Sequence, residues 1–285
     1  MLCLRSTVLA AVATAALAQQ IPLVPVKSKF TSSCPAGPAS CQTSDEASCC
    51  LESPGGLIVQ TQFWDSHPPT GPADSWTVHG LWPDNCDGTY IESCDRSRGY
   101  KDIAALLSSA GASSTLDFMN TYWVDINGRN EQFWEHEWST HGTCYNTLLP
   151  SCFPDYRRGD EAVAFFQTVE RMFDSLPTYQ WLAGAGIVPD DEETHTLDEL
   201  TSALKQAAGV APQLECRGRY LNAVYWYFNL QGSVIDGAFD PIGVYYLRSS
   251  YGAAPLKPSC ADAPLTGRRG GNCPRSGILY TPKNE

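Results

Sequence analysis

The chain has 285 residues and a formal charge of −12 at pH 7, a length that fits one large domain or two small ones and, by default, a soluble globular enzyme. Its acidic surface repels polyanions at neutral pH, so a nucleic-acid partner would have to be held by a local site rather than by a basic face. There is no N-x-S/T sequon, internal repeat or low-complexity run, and after the first residues no stretch approaches the ~20 apolar residues of a membrane span.

Residues 1–18 carry Arg5 followed by the apolar run TVLAAVATAALA, which closes on Ala16-Leu17-Ala18, the small-residue pattern of a signal-peptide cleavage site. Residues 19–285 are therefore expected to be a secreted single domain, with delivery to a vacuole equally open. Once Cys3 leaves with the leader, an odd set of cysteines remains: Cys34, Cys41, Cys49, Cys50, Cys86, Cys94, Cys144, Cys152, Cys216, Cys260 and Cys273. In an oxidising compartment they read as a disulfide framework with one thiol left over. Zinc is the rival use, but no C-x-x-C pair occurs.

Residues 19–54, rich in Ser, Pro and Cys, read as an irregular segment pinned by disulfides. After Gly55-Gly56, LIVQTQFW (57–64) mixes β-branched and aromatic residues and reads as a buried strand. In WTVHGLWPD (76–84), Trp76 and Val78 alternate with Thr77 and His79, which predicts a short strand with His79 on the face opposite Val78. Helical patterns follow in IAALLSS and LDFMNTYW between 103 and 123, across 133–145, and in DEAVAFFQTVERMFDSL (160–176). In the last of these Val163, Phe166, Val169, Phe173 and Leu176 recur at helical spacing. Thr196 and Glu199 make a capping box for another helix that ends near Gly209. YLNAVYWYFNL (220–230) reads as a strand and QGSVIDGAFDP as turns; from about 247 a Gly-, Pro- and Ser-rich tail follows. Strands and helices interleave without a regular βαβ period, which favours an α+β fold, a central and mostly antiparallel sheet flanked by helices and stapled by disulfides.

The stretch FWEHEWSTHGTC (133–144) holds His136, Glu137 and His141 and misses the zinc-protease motif H-E-x-x-H by one residue. That motif sets its histidines about 40° apart on a helix; here they fall about 140° apart, too far round for one ion to be gripped by both. Phe133, His136, Glu137, Thr140 and His141 instead form one contiguous arc suited to surrounding a substrate group, with Trp138 and Tyr145 just beyond it as anchors. Glu137 and His141 are i, i+4 neighbours, so the carboxylate is expected to favour the imidazolium of His141. A lone histidine is usually structural, but three with a glutamate in two short tryptophan-rich stretches point to proton transfer. Trp76, Trp134 and Trp138 read as core. His67 and His195 sit in polar, loop-like surroundings and are assigned no role.

Taken together and in this order, WTVHGLWPD and FWEHEWSTHGTC resemble the two active-site segments of the ribonuclease T2 family, secreted, acid-acting, metal-independent endoribonucleases. The likeness extends to Cys34, Cys49, Cys50, Cys86, Cys94, Cys144 and Cys152 and to YLNAVYWYFNLQGS and NCPRSGILYTPK, so that it covers residues 30–285 and is weakest over 247–270. It implies cleavage of single-stranded RNA with little base preference. The 2′-hydroxyl attacks the adjacent phosphorus, the 5′-oxygen leaves, and water then opens the 2′,3′-cyclic phosphate to a 3′-phosphate.

Carried over residue by residue, His141 would be the base and His79 the acid, although the resemblance leaves open which is which. His136 would bind the phosphate as imidazolium and Glu137 would balance charge around the phosphorane. Trp82, Asp84 and Tyr90 would hold the base on the 5′ side of the cut, Asp84 favouring adenine through its exocyclic amine; Phe133 would hold the other base, with Gln62 as its polar partner. The resemblance implies no cofactor and no metal, RNA as partner, and a monomer. It also implies the disulfides Cys34–Cys50, Cys41–Cys86, Cys49–Cys152, Cys94–Cys144 and Cys216–Cys273, with Cys260 left over. One departure is Thr140, where many members carry lysine; losing that cation would lower the rate. The alternative reading is a non-catalytic or weakly active secreted RNA-binding or toxin-like protein on the same fold.

Overall fold

The computed structural model describes Phe30, residues 34–243 and residues 271–283. The expected signal peptide at 1–18 with Cys3, most of the tail from 247, and Cys260 lie outside the described residues. In chain order the elements are β1 (Leu57–Phe63), β2 (Thr77–Asp84), α1 (Ile103–Ser109), α2 (Ser113–Tyr122), α3 (Asn130–Thr140), α4 (Asp160–Asp174), α5 (Thr178–Gly184), β3 (Thr194–His195), α6 (Leu197–Ala208), β4 (Gln213–Arg217), β5 (Tyr220–Gln231), β6 (Ala238–Ile242) and β7 (Ile278–Leu279).

The strand β5 organises the sheet. Its β-branched and aromatic alternation favours an extended chain, and its length lets β1 run antiparallel to it while β4 covers its first half and β6 its second. The seven-stranded order is β2-β1-β5-β7-β3, with β4 and β6 also on β5, and every pairing is antiparallel except the short contact of β5 with β7. Period-2 alternation gives the sheet two unlike faces. Ile58, Val78, Val224, Trp226 and Phe228 enter the main core, whereas Val59 and Tyr227 build a small second cluster with Trp82 and Tyr225 at its border.

The helix α4 lies in the main core against β1, β2 and α2. Val163, Phe166, Val169, Phe173 and Leu176 are all buried, as their spacing requires, but so are the polar positions between them. Each buried charge therefore has partners. Glu161 accepts from the Tyr100 hydroxyl at 2.6 Å and Glu170 from Thr115 at 2.7 Å, while Arg171 donates to the carbonyl of Ile235. The capping box forms as expected, and Gly209 closes α6 at φ +82°, a left-handed conformation that glycine adopts without strain.

All five disulfides implied by the family resemblance are present. Several elements differ from expectation. The helix through the histidine motif stops at Thr140 instead of running to Tyr145, and α2 begins three residues before Leu116, at Ser113. The expected turn region after β5 contains β6, which can form because Gly237 lets the chain fold back tightly against Gln231 and Ser233. His195 is not in a loop but is buried in β3, paired with Ile278.

Candidate active site

The strand β2 delivers His79 through an irregularity. Thr61 pairs with Gly80 and Gln62 with Val78, so His79 is the extra residue of a β-bulge. The bulge resets the alternation. Val78 and Leu81 both enter the core without exposure, and His79 and Trp82 share the opposite face with their rings edge to face at 4.9 Å. Gly80 sits at the kink, where a Cβ would overlap the Glu137 carboxylate and crowd Trp82 Nε1. A glycine inside a strand marks such a close approach.

Two tryptophans fix the rotation of α3. Trp134 Nε1 donates to the carbonyl of Trp123 at 2.7 Å and Trp138 Nε1 to that of Arg98 at 2.5 Å, both inside the core. This turns Glu137 toward β2. Its Oε2 accepts from Trp82 Nε1 at 3.0 Å, and its Oε1 lies 3.5 Å from His79 Nε2 and 3.9 Å from His136 Nε2. His141 caps the helix at φ −110°. Gly142 then turns the chain directly over Trp138, where any side chain would strike the indole. This close approach, together with the Cys94–Cys144 bridge, ends the helix early.

Termination at Thr140 changes the geometry that an unbroken helix would impose. The His141 ring lies 6.1 Å from that of His136 and 5.1 Å from the indole of Trp82. Donor atoms of His136, Glu137 and His141 all fall within 4.8 Å of one another, closer than the expected 140° separation allowed. These three residues are the group that could hold a metal among the described residues, although both Glu137 oxygens already face protein donors.

The expected pull of Glu137 toward the imidazolium of His141 is present but outweighed. Burial lowers its pKa, and the charges of His136 and His79 lower it further, against the upward pull of Glu137 and Glu92; the net direction is down. Glu137 shows the converse balance. Burial alone would raise its pKa, but the charge and hydrogen bond of His79, the charge of His141 and the bond from Trp82 outweigh it and keep the group an anion. The site thus holds one buried carboxylate, a shielded imidazole favoured neutral, the half-buried His79 and the exposed His136.

The remaining expected residues are distributed unevenly. Phe133 reaches the site, its ring 5.7 Å from His79. Asp84 stands at the end of β2, two residues beyond Trp82 on the same strand. Tyr90 is on the following loop, 69% exposed, and that loop returns to the site where Ser93 N–H donates to the Thr140 carbonyl. Thr140 Oγ1 lies 3.3 Å from His136 Nδ1. Gln62 is not brought to the site. The alternation of β1 turns it into the core, where its amide bonds the Leu176 carbonyl at 3.1 Å and its oxygen accepts from Thr178 at 2.7 Å. The neighbouring Phe63 faces the site instead, stacked on His79 at 4.2 Å. Phe63 and Gly80 are the contributors that sequence reasoning missed. The two-residue period of LIVQTQF was the available signal for the first, and a lone glycine inside the strand-like run TVHGLW for the second.

The His79 and His141 rings both pack against Trp82 and both lie close to the Glu137 carboxylate, an arrangement with the chemistry of an acid–base enzyme. A profile of the Ribonuclease T2 family matches residues 55–237, the span that carries every side chain of this site. Ribonuclease Le2 of Lentinula edodes is 52% identical over 87% of this chain and 95% of its own length, and Ribonuclease T2 of Aspergillus oryzae is 47% identical over 88% and 84%. The crystal structure of Actibind, a T2 ribonuclease, superposes with a TM-score of 0.77 at 43% identity, covering 87% of this chain and 96% of that one. The chain belongs to the ribonuclease T2 family.

Proposed function

We propose that this T2-type endoribonuclease cleaves single-stranded RNA at acidic pH, without a metal, through a 2′,3′-cyclic phosphate. The observation that carries the reading is the packing of both His79 and His141 against Trp82, at 4.9 and 5.1 Å, with the Glu137 carboxylate bonded to the same indole. His141, whose pKa burial holds below the ordinary imidazole range, takes the proton of the 2′-hydroxyl in its neutral form as that oxygen bonds to phosphorus. His79, ion-paired with Glu137, gives its proton to the departing 5′-oxygen as the P–O bond breaks. His136, exposed at the mouth, presents positive charge to the non-bridging oxygens when protonated. In the second step the roles reverse and water opens the cyclic ester to a 3′-phosphate.

Trp82, Asp84 and Tyr90 would hold the base on the 5′ side of the cut, and Phe133 with Phe63 the base on the 3′ side, since aromatic faces accept any base. An acidic working range suits a chain of charge −12, because partial protonation of its carboxylates weakens repulsion toward RNA. The leader sequence and the disulfide framework support a secreted or vacuolar location. No helix among the described residues is long and apolar enough to cross a membrane. The nearness of His79 and His141 to one buried carboxylate supports the catalytic reading over a purely binding role.

A metal reading rests on the close donors of His136, Glu137 and His141, and one experiment separates the two. The purified protein is incubated with single-stranded RNA at about pH 5 in excess chelator, beside a His141→Ala control, and the product ends are identified. Undiminished cleavage giving cyclic phosphate and then 3′-phosphate ends is expected, with a loss of at least about 10³-fold in the control. Cleavage that stops on chelation and returns with zinc would replace this mechanism with a metal one.

A further inference from the structure

A cavity of about 290 Å³ opens where β1 ends and the β4–β5 hairpin turns, lined among others by Asp65, His67, Arg217, Tyr220 and Asn222. None of these side chains has a part in the proton transfers above. The cavity is joined to the active site by the chain itself. Phe63, stacked on His79, lies two residues before Asp65, a step of about 7 Å along an extended strand and on the scale of one nucleotide. Asp65 is also within electrostatic reach of His79.

The lining has the chemistry of a nucleotide site. Arg217 is tethered by Nη2 at 3.9 Å from Asp65 Oδ1, yet its side chain remains 63% exposed, so its guanidinium is anchored at the rim and open to a phosphate. Arg219, also exposed, lies in the same hairpin turn, a local concentration of positive charge in a chain with 19 basic and 31 acidic residues. Tyr220 is 45% exposed, unusual for a large ring on this surface, and the His67 ring stands 6.4 Å from it. His67 is oriented from behind, its Nδ1 3.1 Å from Ser66 Oγ, which itself lies 2.8 Å from Thr281 Oγ1. Asn222 Nδ2 donates to Asp65 at 3.1 Å, so amide and carboxyl form one polar wall. Burial raises the Asp65 carboxyl above its ordinary range against the pull of Arg217 and Asn222, which lessens its repulsion of phosphate in acid.

We propose that this cavity is an extended substrate subsite that holds the second nucleotide on the 3′ side of the cleaved bond, with Tyr220 stacking on its base and Arg217 binding its phosphate. The direction rests on the reading in which His79 protonates the leaving 5′-oxygen, because the leaving strand then passes His79 and Phe63 toward Asp65.

The test uses 2′-deoxy oligonucleotides that carry one ribonucleotide, so that only one bond can be cut. A dinucleotide is compared with trinucleotides extended by one residue on the 3′ or on the 5′ side. In the unmodified protein the 3′ extension is expected to raise kcat/KM about tenfold. In R217A and Y220A, both at exposed positions, the ratio of 3′-extended to dinucleotide kcat/KM falls toward one, while the ratio for the 5′ extension stays as in the unmodified protein. A 3′ gain that survives in the R217A/Y220A double variant, or no gain in the unmodified protein, overturns the subsite. Binding of all-deoxy trinucleotides, followed by fluorescence anisotropy, reads the subsite without turnover. If the dinucleotide is not cut at all while the two variants still lose affinity about tenfold, the fault lies with the catalytic reading and the subsite stands; if affinity is equal in all proteins, the subsite falls.

Discussion

Glu137 carries more of the site than any other side chain, and its burial makes its charge count. Fully enclosed, it would have a raised pKa were it not for His79, His141 and the Trp82 indole; its charge in turn opposes the downward push of burial on His141. The substitution Glu137→Gln keeps an oxygen for Trp82 but removes that charge. With that upward pull gone, burial and the charges of His136 and His79 are opposed by Glu92 alone, so the His141 pKa falls further. His141 must be unprotonated to act as base, and the acidic limb of the kcat/KM profile therefore moves to lower pH, while kcat drops about 10²-fold because the imidazolium forms lose their counter-charge. Profiles of both proteins from about pH 3 to 7 decide it; an acidic limb that stays fixed or moves upward would mean that His141 is not the base.

At the scale of elements, the two devices that assemble the site are interruptions, the bulge in β2 and the early end of α3. Each brings a histidine to a place that regular geometry denies it. Both depend on glycine making room, Gly80 for the Glu137 carboxylate and Gly142 for the Trp138 ring. If the first is right, Gly80→Ala leaves the fold intact, costs about 1–3 kcal/mol of stability through overpacking, and lowers kcat about 10²-fold by displacing Glu137. Adding Glu137→Asp, one methylene shorter, relieves the overlap and returns part of the stability. Urea midpoints and RNA cleavage of the single and double variants measure both effects, and a single variant within twofold of the parent rate would show that Gly80 is only a strand residue.

The same interruptions explain what the sequence could reveal. Strand β1, helix α4 and the capping box of α6 follow from periodicity and local chemistry, and their residues lie where those rules place them. The paired histidine motifs were legible as chemistry because such a concentration of titratable groups has few structural uses. What stayed hidden depends on tertiary contact. A bulge flips the side on which Trp82 falls, and burial reverses the net effect of the surroundings on His141. The choice between Gln62 and Phe63 turned on which face of β1 meets β2's histidine. Strand β6, short and rich in turn residues, acquires its identity only from β5.

Over the whole molecule, one disulfide and one buried carboxylate lash the irregular N-terminal segment to the chain that follows α3. Cys49–Cys152 spans 103 residues, the kind of long loop whose closure most restricts the unfolded chain. Beside it Glu52, 1% exposed, accepts from the backbone N–H groups of Asn146 and Thr147 at 2.8 and 3.1 Å. Burial outweighs those bonds and raises its pKa from 4.5 to about 7. A folded-state pKa above the unfolded one means that the native protein binds the proton more tightly. The stabilisation is full below about 4.5 and is lost as pH rises through about 7, a change on the order of 3 kcal/mol. His141 works in the opposite sense, its lowered pKa removing stability as pH falls below 6.5. Lys283, lowered from 10.5 to about 8 by burial, does so only in the more alkaline window between those values. Because Glu52→Gln leaves both of these groups untouched, subtracting its stability curve from that of the parent isolates Glu52. The difference, from urea unfolding at steps between about pH 4.5 and 8, should change progressively in favour of the variant by about 3 kcal/mol. A flat difference would mean that Glu52 has the same pKa in the fold as in the unfolded chain, so that its burial is offset by the Asn146 and Thr147 bonds.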